Sequence, residues 1–217
     1  RIKDSVAIEK LKAEKGVTTP QTDTNLTKTE QFARELISTV AILNQSGEID
    51  QNTINTLSTS LSQEIENSNQ NKVYNILDLK ILEENTTKTM QNYNKDAGAV
   101  LYKKYPVNIK ILTILEESLT AEGDINANNL SKLDPINKQV QEIIAGLLKI
   151  QVPSKLADLH LNFINAFQGV SENLTNIKEI ETDPIVAMGA ISKYPDNNEQ
   201  VELLLQEIAK TINTIVN

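Results

Sequence analysis

The chain has 217 residues, of which 39% are hydrophobic and 23% charged, so it can bury a core and is too apolar to be disordered. It contains no cysteine and one histidine, which excludes disulfide frameworks, thiolate metal sites and most catalytic triads. The formal net charge is -8, and Lys and Arg do not cluster as a phosphate-binding surface requires, so we expect no nucleic-acid partner.

The N-terminal segment lacks the apolar periodicity of a packed helix. Apolar residues are thinly spaced over 2–15, and residues 16–25 are rich in Thr. We predict an arm and linker over 1–25 and one domain over 26–217. Because the sequence begins at Arg1 rather than Met, we also expect a signal peptide or a transmembrane anchor to precede it, and the choice between the two stays open.

Two amphipathic helices open the predicted domain. Thr27 and Glu30 have the spacing of a capping box at the first helix, and Asp50 can cap the second. Apolar residues recur every three or four positions in both helices. They are Phe32, Leu36, Val40 and Leu43 in the first helix, and Ile54, Leu57, Leu61 and Ile65 in the second.

The segment 73–82 is ambiguous, because its apolar density suits either a buried connector or the start of a helix. We favour an extended connector. A helix is then predicted over 84–105 and ends at Pro106. Asn108 can cap the following helix, and Gly123 can end it.

Proline marks most helix boundaries in the second half of the chain. Two acid–proline pairs predict helix starts, namely Asp134 with Pro135 and Asp183 with Pro184. Ser154 is expected to cap the helix that follows Pro153. Pro195 either kinks one continuous C-terminal helix or separates two helices, and both readings stay open.

Seven or eight amphipathic helices are predicted in all, and no segment alternates at period two over enough length to build a sheet. Short loops join most of these helices. The sequence therefore predicts an all-α, single-domain helical bundle with an aliphatic core.

His160 is the first candidate for chemistry, since it is the one histidine of the chain. It lies between two leucines on a predicted helix, at the edge of the core stripe. A catalytic base needs a nucleophile and an orienting acid nearby, and Asp158, two residues away on a helix, points elsewhere. We expect His160 to make a structural hydrogen bond to a neighbouring helix or loop.

Acidic segments are the second candidate. Residues 92–96 and 124–128 begin like calcium loops but lack the glycine and the glutamate that such loops require, so we expect helix capping; a weak Ca²⁺ site stays open at 124–128. The acid pairs at 83–84, 116–117 and 179–181 cannot form a di-iron site, which needs Glu-x-x-His twice. We expect no catalytic, cofactor-binding or metal-ligating residue.

Three stretches carry a resemblance: DLKI at 78–81, VPSKLADLHLNFIN at 152–165 and DPIVAM at 183–188. Over about residues 75–215 the chain resembles uncharacterised all-helical envelope proteins of small-genome candidate-phyla bacteria. The resemblance implies an all-α domain held outside the cytoplasm behind an N-terminal anchor. It implies no activity.

These observations favour a non-enzymatic domain of an anchored cell-envelope protein, with a structural or protein-interaction role and an unknown protein partner. We expect contact with the membrane only through an N-terminal anchor outside this chain. A homo-oligomer formed through one apolar helix face stays open, and the C-terminal helix is the preferred face. The alternative is a ligand-binding bundle with an apolar cavity lined by tyrosines: Tyr74, Tyr93, Tyr102, Tyr105 and Tyr194.

Overall fold

The computed structural model describes residues 26–46, 51–67, 72–104, 111–118 and 126–216. These residues are helical apart from short connections and one small sheet, so the prediction of an all-α bundle is confirmed. Contacts divide the chain into two compact units, 1–68 and 69–217. Several predictions fall outside the described residues: those for the arm 1–25 and for Asp50, Pro106, Asn108 and Gly123.

The first unit contains helices α1 (Lys28–Ser46) and α2 (Gln51–Asn67). The predicted capping box at the start of α1 is confirmed. The Thr27 backbone N–H donates to Glu30 Oε2 at 2.9 Å, and the Glu30 backbone N–H donates to Thr27 Oγ1 at 3.1 Å. This reciprocal pair satisfies two donors that the first turn of a helix otherwise leaves without partners.

The apolar stripes of α1 and α2 are only partly covered. None of the side chains described in the first unit is buried, and Ile37 is 68% exposed. An ion pair of 3.3 Å between Lys28 Nζ and Glu64 Oε1 joins the start of α1 to the last part of α2, so the two helices are antiparallel. Two helices can cover only one side of each other, which leaves apolar surface at Ile37 and Ile54.

The second unit holds the longer part of the bundle. Its helices in chain order are α3 (Thr87–Lys104), α4 (Ile111–Ser118), α5 (Ala127–Leu130), α6 (Leu133–Leu147), α7 (Ala157–Ile177) and α8 (Pro184–Val216). Helix α7 packs most extensively against α8 and next against α6, and α3 contacts both α6 and α8. Eleven of the 21 residues of α7 are buried, so α7 is the central helix of this unit.

The core of the second unit is mainly aliphatic, as predicted, with Tyr93, Phe163 and Phe167 as its aromatic members. Met188 is exposed, because the small residues Ala187 and Ala190 occupy the buried side of α8 at that level.

The segment 73–82 is an extended connector, as we favoured, with one 3₁₀ turn at Ile76–Asp78. It ends in strand β1 (Lys80–Leu82), which pairs in parallel with β2 (Gln151–Pro153) and places Ile81 opposite Val152. The sequence did not predict this sheet. A strand of three residues is too short for alternation at period two to be recognised.

The connection into α7 differs from the prediction for Ser154. The 3₁₀ turn Ser154–Leu156 precedes α7, and no side chain caps either element. Ser154 Oγ instead accepts a hydrogen bond of 2.8 Å from Asn85 Nδ2, while the Lys155 backbone N–H donates to Asn85 Oδ1 at 2.9 Å. Asn85 therefore fixes this turn from a distant part of the chain.

The two acid–proline pairs behave differently. Helix α8 begins at Pro184 directly after Asp183, as predicted. Helix α6 begins at Leu133, before Asp134, and the Asp134 carboxylate pairs with Lys178 instead of capping the helix. Lys178 belongs to another element, so the sequence around Asp134 does not reveal that its carboxylate forms this ion pair.

The C-terminal helix is continuous. Helix α8 runs for 33 residues and contains Pro195, so the reading with one helix is the correct one of the two left open. Pro195 has no N–H to donate, which removes one bond from the ladder of α8. None of the described helices combines the length and the apolarity that crossing a membrane demands.

Candidate functional site

His160 lies inside the core, where three helices meet. Its side chain projects from α7 and is 0% exposed. His160 Nδ1 is 2.9 Å from the Tyr93 hydroxyl on α3, and Nε2 is 3.2 Å from the carbonyl oxygen of Leu147 at the end of α6. The predicted structural hydrogen bond is confirmed, whereas the predicted place at the edge of the core is wrong, because α3 and α6 cover the ring.

The partners of His160 determine its protonation. A carbonyl oxygen only accepts, so Nε2 carries the proton and donates it to Leu147. In the neutral ring, Nδ1 then accepts from the Tyr93 hydroxyl. Burial lowers the pKa of His160 to about 4, against a smaller opposite effect of the Leu147 carbonyl, and burial raises the pKa of Tyr93 well above its ordinary value.

The Tyr93–His160 pair has a structural geometry. The ring centroids lie 5.5 Å apart with an interplanar angle of 78°, an edge-to-face arrangement that adds packing energy to the hydrogen bond. Asp158, the nearest acid along α7, is exposed and does not orient the imidazole. Both rings are sealed from solvent, so a substrate has no access to them.

The acidic segments act as surface and capping residues. Residues 92–96 lie within α3, which rules out a loop there. Asn126 Oδ1 accepts from the Asn128 backbone N–H at 3.1 Å and caps α5, as predicted, and Glu117 pairs with Lys132 at 2.8 Å. In the part of the chain that the structure describes, no group of three or more acidic or histidine side chains could hold a metal ion.

The tyrosines considered for a ligand cavity are spread through the molecule. Tyr93 is buried in the core, whereas Tyr102 on α3 is 95% exposed and lines no enclosed space. Tyr74 and Tyr194 are half-buried at the edge of the core. Tyr105 lies outside the described residues.

The connector before β1 is held on α7 by a polar clamp that sequence reasoning missed. Asn165 Oδ1 accepts from the Tyr74 N–H at 2.8 Å, and Asn165 Nδ2 donates to the Tyr74 carbonyl at 3.1 Å. Glu172 Oε1 accepts from the Lys72 N–H at 2.7 Å. Asn165 and Glu172 lie seven residues apart and so share one face of α7, which is the signal that could have indicated a docked segment.

The same connector exposes an apolar surface, here called the apolar tip. We define it as Val73, Ile76, Leu77 and Ile81. Leu77 is 90% exposed and Val73 is 69% exposed, while the other two are exposed to a smaller extent. The apolar density of this segment suggested burial, and that expectation is wrong for these four side chains.

Internal hydrogen bonds fix the turn that carries Ile76 and Leu77 of the apolar tip. Asn75 Oδ1 accepts from the Leu77 N–H and Asp78 Oδ2 accepts from the Asn75 N–H, both at 2.9 Å, which makes a capping box. The Asp78 and Leu79 N–H groups donate to the carbonyls of Asn75 and Ile76. The tip is therefore held in one conformation before it meets any partner.

No protein-family model, no curated protein and no solved structure is significantly similar to this chain.

Proposed function

We propose that this chain is a non-enzymatic helical domain of an anchored bacterial cell-envelope protein, with a structural or protein-interaction role. The observation that carries the non-enzymatic part is the burial of His160 with both ring nitrogens engaged. A general base must reach a substrate proton, and among the described residues this imidazole is bonded at both ring nitrogens, to the Tyr93 hydroxyl and to the Leu147 carbonyl.

The first unit supports the interaction role. Helices α1 and α2 bury none of the side chains described there, and Ile37 and Ile54 remain exposed. An amphipathic helix pair that leaves apolar surface uncovered is typical of a unit completed by a partner helix. A second copy of the chain or a different protein can supply such a helix.

The envelope location rests on the resemblance over about 75–215. Two of its stretches are neighbours in space, because β1 contains the last residues of DLKI and β2 the first residues of VPSK. The residues of these two stretches thus meet in the small sheet of the second unit. The ligand-binding alternative has less support, since Tyr102 lies fully on the surface.

Fractionation of cells that express the full-length gene product tests the location. We expect the protein in the envelope fraction and its release by detergent. Recovery in the cytosolic fraction alone would contradict the proposal. Ile37→Glu tests the interaction role, because a charge at this exposed position should abolish a complex detected by chemical cross-linking while leaving the helical circular dichroism unchanged.

A further inference from the structure

We infer that the apolar tip of the second unit inserts into the interfacial layer of a lipid bilayer. The chain would then touch a membrane directly, in addition to the contact through the expected N-terminal anchor. This inference rests on the proposed function only for the presence of a bilayer nearby. The contact itself rests on the exposure, the hydrogen bonding and the charges of residues 72–84.

Exposure is the first observation. Leu77 projects almost completely into solvent, and Val73, four residues earlier in the connector, is more than half exposed. Exposed aliphatic side chains are normal when they are scattered, but here four fall within nine consecutive residues of the connector and β1. Transfer of these side chains into an apolar layer is favourable in proportion to the area removed from water.

The backbone of the tip is suited to an apolar layer. A loop that leaves water usually loses the hydrogen bonds of its N–H groups, which is costly. In this turn the N–H groups of Asn75, Leu77, Asp78 and Leu79 all donate to acceptors within the turn itself. Insertion therefore leaves these four donors satisfied.

The charges around the tip indicate which bilayer it fits. Lys72, next to Val73, and Lys80, next to Ile81, are exposed. The Lys72 ammonium lies 4.8 Å from the centroid of the Tyr74 ring, and both lysines can extend to phosphate oxygens of lipid headgroups. Three acids, Asp78, Glu83 and Glu84, are also exposed, so the segment carries one more negative than positive charge. A zwitterionic surface suits this balance better than an anionic one.

The size of the tip favours a fluid surface over a protein. The exposed area of these four aliphatic side chains is on the order of 400 Å² in total, whereas a standard protein interface buries about 800 Å² on each partner. A bilayer needs no shape complementarity. Contact of this size is weak and reversible by itself, and it becomes effective when an anchor already holds the domain at the membrane.

Flotation with phosphatidylcholine vesicles tests the contact on the purified chain. We expect a fraction of the wild type to float with the vesicles at millimolar lipid and Leu77→Asp to bind about tenfold more weakly or worse. Leu203→Asp is the matched control, because Leu203 is a half-exposed leucine on α8, and this variant should bind like the wild type. Addition of phosphatidylglycerol should weaken binding, and stronger binding would overturn the preference for a neutral surface.

A fluorescent probe reports the position of the tip, because the chain has no tryptophan. The emission of Leu77→Trp should shift to the blue when phosphatidylcholine vesicles are added, while Tyr102→Trp, at an equally exposed site, should not shift. The inference is overturned if Leu77→Trp does not respond at millimolar lipid. It is also overturned if its emission shifts without vesicles as protein concentration rises, which would reveal a second copy on the tip. Fractionation of cells decides the envelope location independently of either result.

Discussion

Gly146 on α6 lies close to Val100 on α3. A Cβ atom at Gly146 would lie 2.8 Å from Val100 Cγ1 and 3.1 Å from Cγ2. Val is stiff at χ1 and cannot easily rotate away. We expect Gly146→Ala to lower the free energy of unfolding by about 1–2 kcal/mol, since the steric cost exceeds the gain in helix propensity.

The matched control is Gly98→Ala on α3, where, apart from the neighbouring backbone of the same helix, no atom of the described residues lies within 4 Å of the added Cβ. This substitution should raise the free energy of unfolding by about 0.5–1 kcal/mol, because alanine loses less backbone conformational entropy than glycine when it becomes helical. Urea denaturation of both variants measures the difference. Two shifts of the same sign would contradict the close approach of α6 to α3.

His160 should make stability depend on pH. Its pKa is about 4 in the folded chain and about 6.5 when unfolded, so between these values the unfolded chain binds more protons. Protonation of His160 therefore leaves the free energy of unfolding unchanged above pH 6.5. It lowers that free energy by on the order of 3 kcal/mol as the pH decreases toward 4. Urea denaturation across this range measures the slope, and His160→Gln should remove it. Equal slopes for wild type and variant would exclude His160 as the cause.

At the scale of elements, the clamp between the connector and α7 makes a clear prediction. In Asn165→Asp a carboxylate oxygen would face the Tyr74 carbonyl, so one hydrogen bond would become a repulsion. We expect a loss of about 1–3 kcal/mol in unfolding free energy and faster hydrogen exchange at the Tyr74 amide. Asn162→Asp, at an exposed site on the same helix, should change neither.

The sequence predicted elements whose signals are local. The apolar stripes placed the helices, and the capping box of Thr27 and Glu30 needed only residues three apart. Ser154 and Asp134 failed as caps because their partners, Asn85 and Lys178, come from distant segments. Hydrophobic periodicity also cannot predict β1 and β2, because each strand is only three residues long.

The same distinction between local signals and distant partners applies to the candidate site. The identity of the one histidine and its structural role were accessible from the sequence, whereas its partner Tyr93 lies 67 residues away and could not be inferred. The apolar tip was recognised as apolar but expected to be buried. Exposure depends on which neighbours cover a segment, and the pattern of one segment does not contain that information.

At the scale of the whole molecule, buried side chains are confined to one unit among the described residues. All of them lie in 69–217. We therefore expect a chain of residues 69–217 to unfold cooperatively, with a Tm within a few degrees of the main transition of the full chain. Circular dichroism during heating measures this, and a broad, non-cooperative transition in the shorter chain would contradict it.

The clamp on the connector also has a mechanical consequence. A pulling force applied from the N-terminal side of Lys72 would reach the second unit through the bonds of Tyr74 to Asn165 and of Lys72 to Glu172. Both acceptors belong to α7, the most deeply buried helix, so the load would pass straight to the centre of the bundle. The domain would resist such stretching by loading these bonds together, instead of being peeled open from its edge.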